Sequence, residues 1–124
     1  MTLGKSITDF TLKITTLTFT EGSGESLNVQ GNLEGTATGF GPVLGTAAFT
    51  NAGEKSGTWK FCGVAYLENG DSIKGIAHGT HESSGVHKWR TRGIEKLSDG
   101  RTVALEGEVD LATRTWSGKL FEWS

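Results

Sequence analysis

Residues 27–50 read LNVQGNLEGTATGFGPVLGTAAFT, and their pattern decides the fold class. Every second position of the first half is apolar or glycine: Leu27, Val29, Gly31, Leu33, Gly35 and Ala37. Such alternation is typical of a strand with one buried face. The run 39–42 (GFGP) predicts a turn, and residues 43–50 predict the next strand. Glycines inside strands mark bulges, sharp bends or close approach to a ligand, so 19 glycines against one proline indicate strongly bent strands.

The rest of the chain repeats this pattern, which predicts an all-β protein. We expect eight strands, at residues 6–20, 26–38, 43–50, 57–67, 71–81, 86–96, 101–110 and 114–123. A change of phase at Thr15–Thr16 predicts a β-bulge in the first strand. Asn69–Gly70 predicts a type I′ turn, with positive φ at both central residues. Short links favour a single eight-stranded antiparallel up-and-down barrel covering residues 1–124, because closure removes exposed sheet edges. An open sandwich is the alternative.

Composition excludes several classes of function. The formal net charge is −2 and no basic cluster is present, which argues against a nucleic-acid partner. Cys62 is the single cysteine, so no intramolecular disulfide can form and a reducing compartment is expected. No segment resembles a signal peptide or a membrane span. We therefore expect a cytoplasmic protein with no membrane partner.

Strand parity separates inward from outward side chains, because lysine is rarely buried. With Lys60, Lys74 and Lys88 outside, the inner face holds large aromatics together with glycine and alanine. An eight-stranded barrel is either filled by such side chains or holds one small ligand. We expect a cavity for a small apolar or amphipathic molecule, and four aromatic side chains are the candidate ligand-binding residues: Trp59, Phe61, Trp89 and Trp116.

Some apolar residues must face outward. Val64, Tyr66, Phe121 and Trp123 cannot all fit inside, and exposed apolar residues of this kind indicate a subunit interface. We expect a homo-oligomer, with a dimer as the default.

Side-chain chemistry concentrates in residues 78–92, HGTHESSGVHKWRTR. With a turn at residues 82–85 or 83–85, His81 and His87 would face inward near-opposite each other, about 5 Å apart at Cβ. Two imidazoles at this separation can act as acid and base on one ligand, and Arg90 or Arg92 could hold an anion if a β-bulge turned one of them inward. The alternative is that both histidines are solvated rim residues. We expect no metal site, because His78 and His81 have opposite parity on a strand.

Two segments carry a resemblance to a known class of protein. Together with the eight-strand pattern, residues 31–39 (GNLEGTATG) and 89–93 (WRTRG) resemble small calycin-type or allene-oxide-cyclase-like barrels. The resemblance implies a site inside the barrel for a small, largely apolar molecule. It also implies that any catalysis is isomerisation, cyclisation or lyase chemistry without a cofactor.

The leading hypothesis is therefore a cofactor-independent isomerase, cyclase or lyase acting on a small apolar metabolite. His81 and His87 would move a proton, Arg92 would bind an anionic group, and the four aromatic residues would shape the pocket. The first alternative is a barrel that binds or carries a ligand without converting it. The second is an oligomer whose barrel is filled by side chains.

Overall fold

The computed structural model describes residues 3–123 and shows a closed antiparallel barrel. Each strand pairs with its neighbours in sequence, and β1 pairs with β8 to close the ring. The strands are β1 Leu3–Glu21, β2 Leu27–Ala37, β3 Gly41–Phe49, β4 Ser56–Tyr66, β5 Ser72–Gly85, β6 Lys88–Leu97, β7 Thr102–Asp110 and β8 Thr115–Trp123. The prediction of an eight-stranded up-and-down barrel is confirmed.

The predicted bulge in the first strand is also confirmed. The pairing of β1 with β2 changes register between Ile14 and Thr16. Because one extra residue shifts the alternation, Leu12 and Ile14 before the bulge and Leu17 and Phe19 after it all turn to the inner side. The bulge therefore keeps both apolar runs of a long strand on one face.

The turn at Asn69–Gly70 forms, but the type I′ assignment is wrong. Gly70 has φ +94°, whereas Asn69 is not among the described residues with positive φ. The Gly70 N–H donates to the Leu67 carbonyl at 3.1 Å, and the Leu67 N–H donates to the Asp71 carbonyl at 2.9 Å. This pattern fits the longer loop that ends in a glycine bulge, which needs only one residue with positive φ.

The core is an aromatic layer at mid-height of the barrel. The Trp59 and Trp116 rings meet edge to face with centroids 5.0 Å apart, and both side chains are 1% exposed. Phe10 and Phe61 pack on the same Trp116 ring, with centroid distances of 6.0 and 5.9 Å. Edge-to-face packing places the positive ring edge against the negative ring face. This layer divides the barrel interior into two cavities.

We name the two barrel ends by their connections. The upper end carries the β1–β2, β3–β4, β5–β6 and β7–β8 connections, and the lower end carries the other three. The larger cavity, about 250 Å³, lies at the upper end, and the smaller cavity, about 70 Å³, lies at the lower end. Trp116 contributes to the walls of both.

Candidate functional site

The larger cavity is an apolar chamber beneath an apolar rim. Its wall includes Leu33, Ala47 and Val109 from three strands, and Trp116 lies between it and the lower half of the barrel. His81 is the only titratable side chain in its wall among the described residues. A chamber of this composition favours a largely apolar molecule and disfavours a charged one.

The rim is formed by a hairpin that extends beyond the barrel. The last β1 residue paired with β8 is Lys13, whereas pairing with β2 continues to Glu21. Leu17 and Phe19 lie on this extension, line the cavity, and are 40% and 56% exposed. Leu111, from the β7–β8 connection, is a third exposed apolar residue at the rim. Exposed apolar side chains that lead into a cavity are typical of a ligand entrance.

His81 is held in the cavity wall by the β3–β4 connection. Its Nε2 lies 2.7 Å from the Thr50 carbonyl oxygen, and the Phe49 ring centroid is 5.6 Å from the imidazole centroid. Because a carbonyl can only accept, Nε2 carries the proton in this bond. Gly57 makes the arrangement possible, since a Cβ there would lie 2.5 Å from His81 Nε2.

The other ring nitrogen of His81 has no partner. The side chain is 4% exposed, and its Nδ1 is buried with no hydrogen-bond partner in the described part of the chain. Leaving a buried acceptor unpaired costs about 1–3 kcal/mol. With the proton on Nε2, Nδ1 is the acceptor nitrogen of the neutral ring.

The four aromatic residues predicted to bind ligand are distributed over the interior. Trp89 and Trp116 line the larger cavity, and Phe61 lines the smaller one. Trp59 lies in the central layer, where its indole N–H donates to the Thr80 carbonyl at 3.0 Å. The Trp116 indole donates to Thr91 Oγ1 at 3.0 Å, and the Trp89 indole donates to the Glu54 carbonyl at 2.9 Å. These bonds fix the ring orientations that shape the cavities.

The structure does not bring the predicted histidine pair together. β5 continues to Gly85, His81 pairs with Thr91, and the turn falls at residues 86–87. His87 is exposed in that turn with φ +53°, so its predicted position on the inner face, near-opposite His81, is wrong. The turn lies later than predicted because β5 continues to pair with β6, through Ser83 with Trp89 and Gly85 with Lys88.

Arg92 lies outside the two interior cavities, in a surface groove whose lining also includes His81. It is exposed on the outer face of β6, where it pairs with Thr80 of β5 and Glu106 of β7. The bulge that would turn it inward is not there, because the β6–β7 register is regular from Lys88 to Lys96. Of the three predicted catalytic residues, only His81 lines an interior cavity, and Arg92 meets it only at the surface groove.

Sequence reasoning missed one titratable residue of the interior, Glu95. Its side chain is 8% exposed and forms part of the wall of the smaller cavity. Burial raises the pKa of the Glu95 carboxyl from its ordinary 4.5 to about 7. The signal was present in the sequence, since the inward parity of Trp89, Thr91 and Gly93 continues to position 95.

Among the described residues, no three His, Cys, Asp or Glu side chains cluster as a metal site would require. Cys62 is exposed on the outer face. No helix within residues 3–123 is long and apolar enough to cross a membrane.

The outer apolar residues lie partly in solvent. Tyr66 is 49% exposed and Val64 is half-buried, and Leu44 and Ile76 from adjacent strands are 49% and 68% exposed. Phe121 and Trp123 are half-buried. The homo-oligomer expected from these positions stays a prediction.

Comparison with known proteins gives no relative that assigns a function. No protein-family model matches the chain, and no match was found among curated proteins or solved structures. The fold and the cavities therefore define the protein as a closed eight-stranded β-barrel with an internal chamber, and its function must be argued from that chamber.

Proposed function

We propose that the protein binds a small, largely apolar molecule carrying one hydrogen-bond donor, such as an alcohol or a phenol, in the larger cavity. The observation that carries the proposal is the buried, unpartnered Nδ1 of His81 in the wall of an apolar chamber of about 250 Å³. A ligand donor reaching Nδ1 would remove the cost of the unpaired acceptor, while the ligand body replaces water against apolar side chains.

The size of the chamber bounds the ligand. A buried apolar cavity of roughly 150 Å³ binds benzene. A chamber of about 250 Å³ therefore suits a bicyclic ring or a branched chain of comparable volume. A fully charged ligand is disfavoured, because the described wall holds no opposite charge.

The binding test uses 2-naphthol and naphthalene, which differ in one hydroxyl group. Wild-type protein should bind both, with an affinity about fivefold higher for 2-naphthol, since one neutral hydrogen bond contributes about 1 kcal/mol. His81→Phe should bind naphthalene and lose the preference. His78→Phe, on the exposed outer face of the same strand, is the matched control and should behave as wild type. Calorimetry measures both affinities.

Two results would contradict the binding proposal. The first is the absence of saturable binding for either probe. The second is a 2-naphthol preference that survives in His81→Phe. Ala47→Leu adds an independent check, because Ala47 is 2% exposed and lines the larger cavity. A larger side chain there should weaken binding of both probes.

A second candidate function is proton transfer without a cofactor, as an isomerase, cyclase or lyase. The favouring observation is that His81 combines an oriented Nε2–H with a free Nδ1 in the wall of a mostly apolar chamber. An imidazole oriented in this way can remove and return a proton on a bound substrate. The resemblance to allene-oxide-cyclase-like barrels supports this candidate, since such catalysis works mainly by folding a substrate inside the barrel.

Incubation with a metabolite extract separates the two candidates. Mass spectrometry would compare wild type, His81→Ala and His87→Ala. A component converted by wild type and left intact by His81→Ala would establish an enzyme with His81 as its base. A component bound unchanged by all three proteins would establish a carrier or sensor. Because His87 is exposed in a turn, its variant should retain whatever activity wild type has.

A further inference from the structure

The smaller cavity is a separate chamber at the opposite end of the barrel. It measures about 70 Å³, which exceeds the roughly 15 Å³ that one water molecule needs. Its wall combines aliphatic side chains with four aromatic ones, which are Phe10, Phe40, Phe61 and Trp116. Glu95 is the only ionisable residue among its described lining.

Glu95 reaches this chamber from near the end of β6. It pairs with Ala77 of β5 and Val103 of β7, and its carboxyl lies beside Gly75. A Cβ at Gly75 would overlap the carboxyl oxygen Oε2, so the missing side chain there makes room for the carboxyl group. Within the described residues, the carboxyl takes part in no hydrogen bond and no ion pair.

A buried carboxyl without a partner is costly unless something compensates it. Transferring an unpaired carboxylate into an apolar environment raises its pKa, and here the value reaches about 7. A bound cation would stabilise the ionised form directly. Aromatic rings attract cations through their faces, and four aromatic side chains contribute to the wall.

The mouth of the chamber already shows this preference. The Arg101 guanidinium carbon lies 5.5 Å from the centroid of the Phe40 ring. Its charge is balanced by Asp99, whose Oδ2 is 2.8 Å from Arg101 Nη2, and hydrogen bonding to Arg101 lowers the pKa of the Asp99 carboxyl. The charges of Arg101 and Asp99 at the entrance therefore balance each other. The Glu95 carboxyl inside the chamber has no opposite charge beside it among the described residues.

We propose that the smaller cavity binds a small organic cation, a primary ammonium group on a short apolar chain, with Glu95 as its counter-ion. The ammonium would lie between the carboxyl and the aromatic faces, and the chain would contact the aliphatic wall. A metal ion is disfavoured, because Glu95 is the only side chain of a metal-binding type in the described wall. A hard cation such as Ca²⁺ takes several oxygen ligands. This site is independent of the larger cavity.

The test is an amide NMR titration at pH 8 with ethylammonium chloride, ethanol and sodium acetate, which are small enough for a chamber of about 70 Å³. Ethylammonium should produce saturable shifts at Glu95 and Gly75, with an affinity at least about tenfold above that of ethanol. Acetate should not bind. Glu95→Gln should lose the preference for the cation. Glu106→Gln removes one carboxyl from the exposed face of β7 and should retain the preference.

The affinity should also depend on pH. At pH 5.5 binding should be about 30-fold weaker than at pH 8, because the ligand requires the ionised carboxyl and protons compete for it. The other charged groups near the chamber are the paired Asp99 and Arg101 at its mouth. Repeating the pH titration with Arg101→Ala should leave the pH dependence in place.

Three outcomes would overturn the proposal. They are no saturable shift with ethylammonium, equal affinity for ethanol, and an unchanged cation preference in Glu95→Gln. Failure here is distinguishable from failure of the proposed function, because His81→Phe should leave ethylammonium binding intact and Glu95→Gln should leave 2-naphthol binding intact.

Discussion

Replacing Glu95 by glutamine should remove a defined part of the pH dependence of stability. The carboxyl has a pKa of about 7 in the folded protein against an ordinary value of 4.5, and burial is the cause. Between these two values the folded state holds a proton that the unfolded state has released. The free energy of unfolding therefore falls as pH rises through this interval.

The size of the effect follows from the two pKa values. One pH unit corresponds to about 1.4 kcal/mol, so the interval from 4.5 to about 7 gives about 3 kcal/mol. Below pH 4.5 Glu95 is protonated in both states and resembles the neutral glutamine. Above pH 7 the wild-type protein carries a buried carboxylate, and Glu95→Gln should be more stable by about 3 kcal/mol.

Urea unfolding between pH 4 and pH 9 measures this directly, with tryptophan fluorescence as the signal. The informative quantity is the difference in unfolding free energy between Glu95→Gln and wild type at each pH. It should rise from near zero to about 3 kcal/mol and then level off. A difference that does not change with pH would refute the assignment of Glu95 as a buried, uncompensated carboxyl. Glu106→Gln controls for the loss of one exposed charge.

Three further substitutions test other parts of the structure. Thr91→Val should cost about 1–3 kcal/mol in urea unfolding, because the buried Trp116 indole N–H loses its acceptor; an unchanged midpoint would contradict the bond. His87→Gly should raise the melting temperature and increase the free energy of unfolding by about 1 kcal/mol, since glycine adopts φ +53° without steric cost. A lower melting temperature would show that the His87 side chain stabilises the turn. Gly57→Ala should displace the His81 imidazole and abolish the roughly fivefold 2-naphthol preference in calorimetry, whereas a retained preference would show that the ring is not constrained there.

The architecture could be predicted because it depends on the two-residue repeat of apolar side chains along each strand. Alternation along each strand identifies the buried face, and a closed meander follows from eight such strands with short links. The bulge between Ile14 and Thr16 was visible as a change of phase in the apolar residues. These features are local in sequence, so a single chain shows them.

The position of the β5–β6 turn depends on long-range pairing, and for that reason it was misjudged. Ser83, Ser84 and Gly85 favour a turn by local preference. In the structure these residues stay in β5, and the turn instead contains Val86, 84% exposed, and His87 with positive φ. Pairing with β6, of Ser83 with Trp89 and of Gly85 with Lys88, outweighs the local preference.

Glu95 was missed for a different reason. The inward parity of the sixth strand continues to position 95, but a buried carboxylate is so unfavourable that charged residues are ordinarily assigned to the surface. The sequence also cannot show that Gly75, twenty positions earlier, leaves the space that the carboxyl occupies. Residues that break the usual sequence preferences, such as a charged residue at a buried position, tend to concentrate at functional sites. They can be recognised only after the fold is known.

Closure of the ring has a consequence for how the chain folds. Most of the strand pairs join consecutive strands and can form as local hairpins, whereas the β1–β8 pair joins residues as far apart as Asp9 and Lys119. Because long loops close slowly and at a higher entropic cost, this seam should form last and limit the folding rate. Until β8 leaves the ribosome, β1 and β7 each present an unpaired edge. Aggregation of the nascent chain is therefore a hazard of this topology that ends only when the last strand docks.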